Sequence, residues 1–223
     1  ARGVKRRVPF NNEWRFAAEF SPEFVGREYD DAHFASVRLP HTNVEVPEHY
    51  VDESVYQFES CYRRRFRADT EPGERVIVRF EAVMVAARVY CNGELCGEHR
   101  GGYTPFEVDV TSAVVPGDDN LLAVHVDSTE RSDTPPFGHV VDYMTFGGIY
   151  REVTLEYRDP CYLEHVLVRP ADVLGGRPRL EVDLYPRNTL TAPASLTVRA
   201  HLVHDGDVVT STEWELTVEP GEA

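Results

Sequence analysis

The stretch VIVRFEA at residues 76–82 decides the fold class, because apolar and polar side chains alternate along it. In an extended chain successive side chains point to opposite faces, so Val76, Val78 and Phe80 share one face while Arg79 lies on the other. This period of two is typical of a β-strand that buries one face in a core and leaves the other in water.

The same alternation recurs along most of the chain. It is found at residues 106–110, 122–127, 180–184, 196–202 and 214–218. Turn dipeptides separate these segments, at Pro72-Gly73, Asn92-Gly93, Pro116-Gly117 and Gly175-Gly176. No segment carries an apolar stripe of three helical turns. The sequence therefore predicts an all-β chain of the sandwich type.

A domain boundary is expected near Arg158-Asp159-Pro160. Residues 1–158 hold about eight predicted strands, enough for one antiparallel sandwich, after a looser lead-in that reaches about residue 50. Residues 160–223 offer only four or five strands, whereas an immunoglobulin-like sandwich usually has about seven. We therefore expect a complete first sandwich and an incomplete second one, as in a chain cut inside its second domain.

Composition excludes several function classes. The 223 residues include 23 Lys and Arg against 38 Asp and Glu, a net charge of −15, which argues against binding to nucleic acid. No apolar run is long enough to predict a membrane span, and the basic start is not followed by the apolar stretch of a signal peptide. The four cysteines fit neither a disulfide scaffold nor a zinc pattern, so a reduced, cytoplasmic protein without metal or cofactor is expected.

One long connection breaks the strand pattern. Residues 128–148 show no alternation, and loops of this length inside a compact domain are usually functional or disordered. The segment contains Phe137, His139, Asp142, Tyr143 and Phe146 and ends in Gly147-Gly148. This aromatic content favours an ordered loop that forms a site.

Residues of this loop have the chemistry that sugar recognition needs. A carboxylate such as Asp142 accepts hydrogen bonds from hydroxyls, and an aromatic face covers the C–H surface of a sugar ring. Tyr143, Phe137 or Phe146 would supply that face, and His139 a second polar contact. The alternative from residue types alone is that Asp142 is a solvated carboxylate and the aromatic side chains pack the loop down.

Other candidate sites have simpler explanations. His201, His204 and Asp205 resemble a metal cluster, but residues three apart on a strand face opposite sides, so surface histidines are expected. The run Arg63-Arg64-Arg65 alternates faces and predicts surface ion pairs. The motifs of serine hydrolases, phosphate-binding loops and zinc proteases do not occur in the sequence.

Six strings in order resemble the N-terminal region of glycoside hydrolase family 2, the family of the β-galactosidases and β-glucuronidases. They are WRF at 14–16, LPHT at 39–42, CYRRRF at 61–66, VYCNG at 89–93 leading to HRGGYTPF at 99–106, GDDNLLAV at 117–124, and Asp142 followed by GGIYREV at 147–153. The resemblance implies a jelly-roll, galactose-binding-like domain at residues 1–158 and an immunoglobulin-like domain, incomplete here, at residues 160–223.

The resemblance also implies where catalysis occurs. In this family two glutamates on a C-terminal (β/α)₈ barrel cleave the glycosidic bond, and such a barrel needs about 250 residues. We therefore expect no catalytic residue in this chain, which should be inactive alone. The parent protein would be a retaining exo-β-glycosidase, and a homo-oligomer is possible.

The site residues implied for this chain bind substrate. The position of Asp142 before the Gly-Ile-Tyr-Arg string is similar to that of the aspartate that reaches the barrel and binds hydroxyls of the non-reducing sugar. The string YMTF at 143–146 lacks the tryptophans of β-mannosidase-like relatives, which favours a β-galactoside or β-glucuronide. Two alternatives stay open: a stand-alone carbohydrate-binding module, and a structural or assembly domain.

Overall fold

The computed structural model describes residues 4–45, 49, 52–136 and 143–221. Its regular structure is almost entirely β, which confirms the predicted class. The strands are β1 (Val4–Pro9), β2 (Trp14–Ala17), β3 (Ala35–Val37), β4 (Glu59–Arg67), β5 (Arg75–Phe80), β6 (Ala86–Cys91), β7 (Glu94–Arg100), β8 (Phe106–Asp109), β9 (Asp119–Asp127), β10 (Val153–Arg158), β11 (Cys161–Ala171), β12 (Arg179–Asn188), β13 (Ala194–His204) and β14 (Asp207–Val218). Two short 3₁₀ helices span Pro22–Val25 and Glu53–Tyr56.

The chain divides into two compact units. The larger is Arg6–Tyr157, and the smaller combines the described residues of Ala1–Lys5 and Arg158–Ala223. The assignment of these two parts to a jelly-roll domain and an immunoglobulin-like domain stays a prediction.

The larger unit is built from two sheets. A four-stranded sheet has the order β1-β10-β5-β8, and a six-stranded sheet has the order β3-β2-β4-β9-β6-β7. Side chains of both sheets form one apolar core, with Val78 and Phe80 from β5 and Val124 and Val126 from β9. The expected loose lead-in is wrong, because β1 joins one sheet while β2 and β3 form the edge of the other.

Strand β9 is buried on both faces, although its alternation predicted that one face would be exposed to solvent. Leu121 and Ala123 are buried, as are the core-facing residues between and beyond them. The reason is that β9 lies in the sheet interior and its outer face is covered by the 3₁₀ helix Pro22–Val25. A small second apolar cluster on this side consists of Phe24, Phe34 and Cys61.

A buried arginine holds the covering segment in place. The Arg63 side chain is fully buried, its Nε lies 3.1 Å from Asp31 Oδ2, and it donates a 3.2 Å hydrogen bond to the carbonyl of Tyr29. The prediction of a surface ion pair is therefore wrong for Arg63. It is confirmed for the exposed Arg65, whose Nη1 lies 3.0 Å from Asp119 Oδ2.

The smaller unit consists of two antiparallel ribbons, β11 with β12 and β13 with β14. The second ribbon turns at Asp205 and Gly206, both with positive φ, as a two-residue hairpin loop requires. Its buried apolar side chains include Val198 and Val218. Next to the turn of the second ribbon, Leu202, Val203, Val208 and Val209 are exposed. His201 and His204 are exposed on β13.

The cysteines are free thiols. Burial raises the pKa of both Cys61 and Cys91 to about 12, so these two are neutral packing residues at physiological pH. The cytoplasmic location expected from the cysteine usage stays a prediction. Among the residues that the structure describes, no helix is long and apolar enough to cross a membrane.

A short antiparallel pairing fixes the end of the long loop after β9. The His41 amide donates to the Ile149 carbonyl at 2.9 Å, and the Asn43 amide donates to the Gly147 carbonyl at 3.1 Å. The buried Asn43 side chain also donates to the carbonyl of Tyr56 at 2.8 Å. The loop therefore returns to β10 along a defined track.

Position 148 leaves no room for a side chain. Its φ is +97°, and a Cβ there would lie 2.5 Å from Tyr62 Oη and 2.9 Å from the His41 carbonyl oxygen. The hydroxyl of Ser128, at the start of the loop, connects the two ends of the loop by a hydrogen bond. Ser128 Oγ accepts from the Gly148 amide at 3.2 Å and donates to the Met84 carbonyl at 2.9 Å.

A substitution at this contact tests its contribution to stability. We expect Gly148→Ala to destabilise the larger unit by about 2–4 kcal/mol, because the positive φ and the contact with Tyr62 both oppose a methyl group. Urea unfolding followed by Trp14 fluorescence in a Trp214→Phe background reports on this unit. Gly117→Ala is the control, since Gly117 lies in the same unit and also has a positive φ of +73°, but nothing lies within 4 Å of a Cβ there. Equal midpoints for the two variants would contradict the contact.

The buried His125 makes the stability of the larger unit depend on pH. The residue is 7% exposed, its ring stacks on Phe20 at 3.9 Å, and its Nε2 lies 3.1 Å from Glu59 Oε2. Its Nδ1 is buried and has no hydrogen-bond partner among the described residues. Burial lowers the pKa of His125, and the Glu59 carboxylate offsets this only in part.

The sign of the pH effect follows from the lowered pKa. The unfolded chain binds a proton at about pH 6.5 while the folded chain still resists it, so stability falls as the pH drops below that value. His41 and His99 add to the loss, because burial lowers the pKa of each. We expect His125→Asn to lose less unfolding free energy than wild type between pH 7.5 and 5.5. His201→Asn, on the exposed face of β13, should follow the wild-type curve, and identical slopes in all three proteins would refute this role.

Candidate functional site

The structure describes residues 128–136 and 143–148 of the long loop. The predicted contacts Asp142 and His139, and the possible platform Phe137, lie outside the described residues, so their roles stay predictions. Tyr143 is described, and its side chain is 51% exposed. Phe146, the other expected platform, is 39% exposed.

A third aromatic residue lies beside Tyr143. Tyr103, in the connection from β7 to β8, is 40% exposed, and its ring centroid is 6.5 Å from that of Tyr143 with an interplanar angle of 68°. We call Tyr103 and Tyr143 the aromatic patch. The sequence contained Tyr103 within the HRGGYTPF string, but nothing in that string indicated that the connection lies beside a loop forty residues later.

Hydrogen bonds from two tyrosines hold the segments that carry the patch. The phenol oxygen of the buried Tyr56 lies 3.1 Å from Thr145 Oγ1, between Tyr143 and Phe146 in sequence. The Tyr150 phenol donates to the carbonyl of Gly102, next to Tyr103. Both backbone segments that carry the patch are therefore tied to side chains of the larger unit.

The patch is uncharged. Desolvation raises the pKa of Tyr103, and the neighbouring Tyr143 phenol raises it further. Its phenol stays protonated at physiological pH and can both donate and accept a hydrogen bond. Neutral rings with hydroxyl groups suit a neutral, hydroxyl-bearing ligand better than an ion.

The start of the loop carries charges that neutralise one another. Arg131 lies 3.3 Å from Asp127 and 3.0 Å from Asp133, and Arg100 lies 3.2 Å from Asp133. The Arg100–Asp133 pair is exposed, and exposed pairs contribute little to stability. These three pairs border a groove of ≈150 Å³ on the outer face of the six-stranded sheet.

The arginines that line the groove, all within the described part of the chain, are paired and offer no free charge to an anion. Its Arg88 is paired with Glu98 at 2.6 Å, and Arg131 with Asp127 and Asp133. Within the described part of the chain, no group of three His, Cys, Asp or Glu side chains could hold a metal ion. The aromatic patch is therefore the better candidate site.

Comparison with known proteins identifies the larger unit. The family described as "Glycosyl hydrolases family 2, sugar binding domain" matches residues 9–160. The chain is 45% identical over 159 residues to a β-galactosidase of Thermoanaerobacter pseudethanolicus, which covers 70% of this chain and 21% of that protein. It is 39% identical over 188 residues to a β-galactosidase of Thermoanaerobacterium thermosulfurigenes, covering 83% of this chain and 26% of that protein.

Solved structures agree with the fold. A calcium-binding mutant of Bacteroides uniformis β-glucuronidase 2 superposes with a TM-score of 0.84 at 26% identity, over 97% of this chain and 27% of that chain. The chain thus spans about a fifth to a quarter of the length of these relatives. The match over residues 9–160 shows that the chain belongs to glycoside hydrolase family 2 and contains the family's sugar-binding domain.

Proposed function

We propose that this chain contributes sugar contacts to the active site of a retaining exo-β-glycosidase. The catalytic glutamates would lie on a (β/α)₈ barrel elsewhere in the same polypeptide. The observation that carries the proposal is the anchored loop: Ser128 and Gly148 join its two ends, and it exposes Tyr143 on the surface of a sugar-binding domain.

Three residues of the loop would each make a different contact with the sugar. Asp142 would accept hydrogen bonds from sugar hydroxyls, and a hydrogen bond to a charged group contributes about 1.5–3 kcal/mol. His139 would add a polar contact. Tyr143 would cover the C–H face of the sugar ring, for which its half-exposed side chain is suited.

Anchoring of the loop explains how a long connection could serve such a site. A contact adds most to affinity when its residue does not have to be ordered on binding. The pairing of His41 and Asn43 with Ile149 and Gly147 fixes the backbone that follows Tyr143. The backbone at this end of the loop would therefore not have to become ordered when the substrate binds.

The substrate class follows the relatives. The two relatives with 45% and 39% identity are named β-galactosidases, whereas a relative from Formosa agariphila with 27% identity over 210 residues is named a β-glucuronidase. A β-galactoside is therefore the first substrate to test and a β-glucuronide the second.

The role of Asp142 can be measured in the full-length enzyme. We expect Asp142→Ala to lower kcat/KM by roughly ten- to hundredfold, at about 1.4 kcal/mol per factor of ten, because a charged hydrogen bond to the sugar is lost. Asp133→Ala is the matched control, since Asp133 belongs to the same loop but is paired with Arg100 and Arg131. Wild-type kinetics for Asp142→Ala would refute the assignment.

Binding by the 223-residue chain separates the proposal from a stand-alone carbohydrate-binding module. We expect dissociation constants of about 1 mM or weaker for methyl β-galactoside and methyl β-glucuronide, because the barrel would supply the rest of the pocket. Isothermal titration calorimetry makes the measurement. A micromolar dissociation constant, near −8 kcal/mol, would favour the stand-alone module.

A further inference from the structure

We propose that Tyr103 is a second sugar-binding residue and forms a two-ring platform with Tyr143 for one pyranose. The inference rests on the proposed function, which it extends to the connection between β7 and β8. Tyr103 and Tyr143 are both exposed, and their rings are 6.5 Å apart and inclined at 68°, in an edge-to-face arrangement.

The connection that carries Tyr103 is held in one conformation. Gly101 has φ of +129°, and its amide donates to the Val85 carbonyl at 2.9 Å. A Cβ at Gly102 would collide with Met84 Sδ, and the Gly102 carbonyl accepts from the Tyr150 phenol. Tyr103 is therefore presented from a rigid turn although 40% of its surface is exposed.

The exposure of Tyr103 leaves part of its apolar surface available to a ligand. Burial of the Tyr103 ring would stabilise the fold, since removal of apolar surface from water is favourable. Tyr103 instead keeps a large part of its ring available, next to a second ring that does the same. Rings fixed in advance lose little entropy when a ligand stacks on them.

The chemistry of the patch favours a sugar as the occupant. A pyranose has an apolar C–H face and a rim of hydroxyls, which match an aromatic face and a neutral phenol. The two rings are in edge-to-face contact, so a pyranose that covers the face of one ring would meet the edge of the other. Exposed apolar residues of the smaller unit are mostly aliphatic, such as Val203 and Val209, and lack such hydroxyl groups. The match of this region to a sugar-binding domain agrees with this choice.

The test is an NMR titration of the 223-residue chain with methyl β-galactoside up to about 100 mM. Ring signals of Tyr103 and Tyr143 should shift together and with one dissociation constant. Sorbitol, which has hydroxyls but no ring, should leave both signals in place. A shift of neither ring at the highest sugar concentration would overturn the platform.

Substitutions separate stacking from a structural role. We expect Tyr103→Ala to weaken binding by about three- to tenfold, the range of one aromatic contact. Tyr103→Phe should keep most of the affinity because it keeps the ring face. Tyr185→Ala, which removes an exposed tyrosine of the smaller unit, is the matched control and should bind as wild type. Amide spectra of each variant report whether it is folded.

The outcomes distinguish this inference from the proposed function. If sugar shifts Tyr143 alone and Tyr103→Ala binds as wild type, the role of Tyr103 is refuted while the proposed function stands. If Tyr103→Phe loses as much affinity as Tyr103→Ala, the phenol and not the ring face makes the contact, and the stacking platform is wrong. Wild-type kinetics of Asp142→Ala in the full-length enzyme would instead refute the assignment of Asp142.

Discussion

The loop with the candidate site depends on the absence of a side chain at residue 148. The Gly148 backbone lies against the Tyr62 phenol and the His41 carbonyl and accepts no Cβ. This close approach lets the Ser128 hydroxyl reach the Gly148 amide, so that the two ends of the loop meet. A connection that leaves one sheet and returns to the other is thereby closed at its base, and its exposed residues project from a fixed foundation.

Local pattern predicted the β architecture because alternation reports which side of a strand is apolar. It predicted less well what covers each sheet. The wet face expected for β9 is buried, since the segment around Phe24 folds over it and Arg63 holds that segment through Asp31. The alternation of a strand does not show whether an arginine is buried or exposed. What distinguishes Arg63 from Arg65 is its ion pair with Asp31, which comes from a distant part of the chain.

The candidate site, like the fold, could be predicted only in part from the sequence. The missing alternation at residues 128–148 identified the loop, and Tyr143 is exposed as a ligand contact would need to be. Tyr103 was missed because its proximity to Tyr143 arises from the arrangement of β7, β8 and the loop, not from spacing along the chain. The resemblance to glycoside hydrolase family 2 supplied the family, which the match over residues 9–160 confirms. The individual roles of Asp142 and His139 stay predictions.

The two ribbons of the smaller unit have a consequence for the solution behaviour of the chain. Exposed rows that contain Leu202, Val203, Val208 and Val209 sit on strands with open edges, and such surfaces attract a second copy. The net charge of −15 opposes that attraction at low ionic strength. Added salt screens the repulsion while leaving the apolar contact intact, so self-association of the chain should increase with ionic strength.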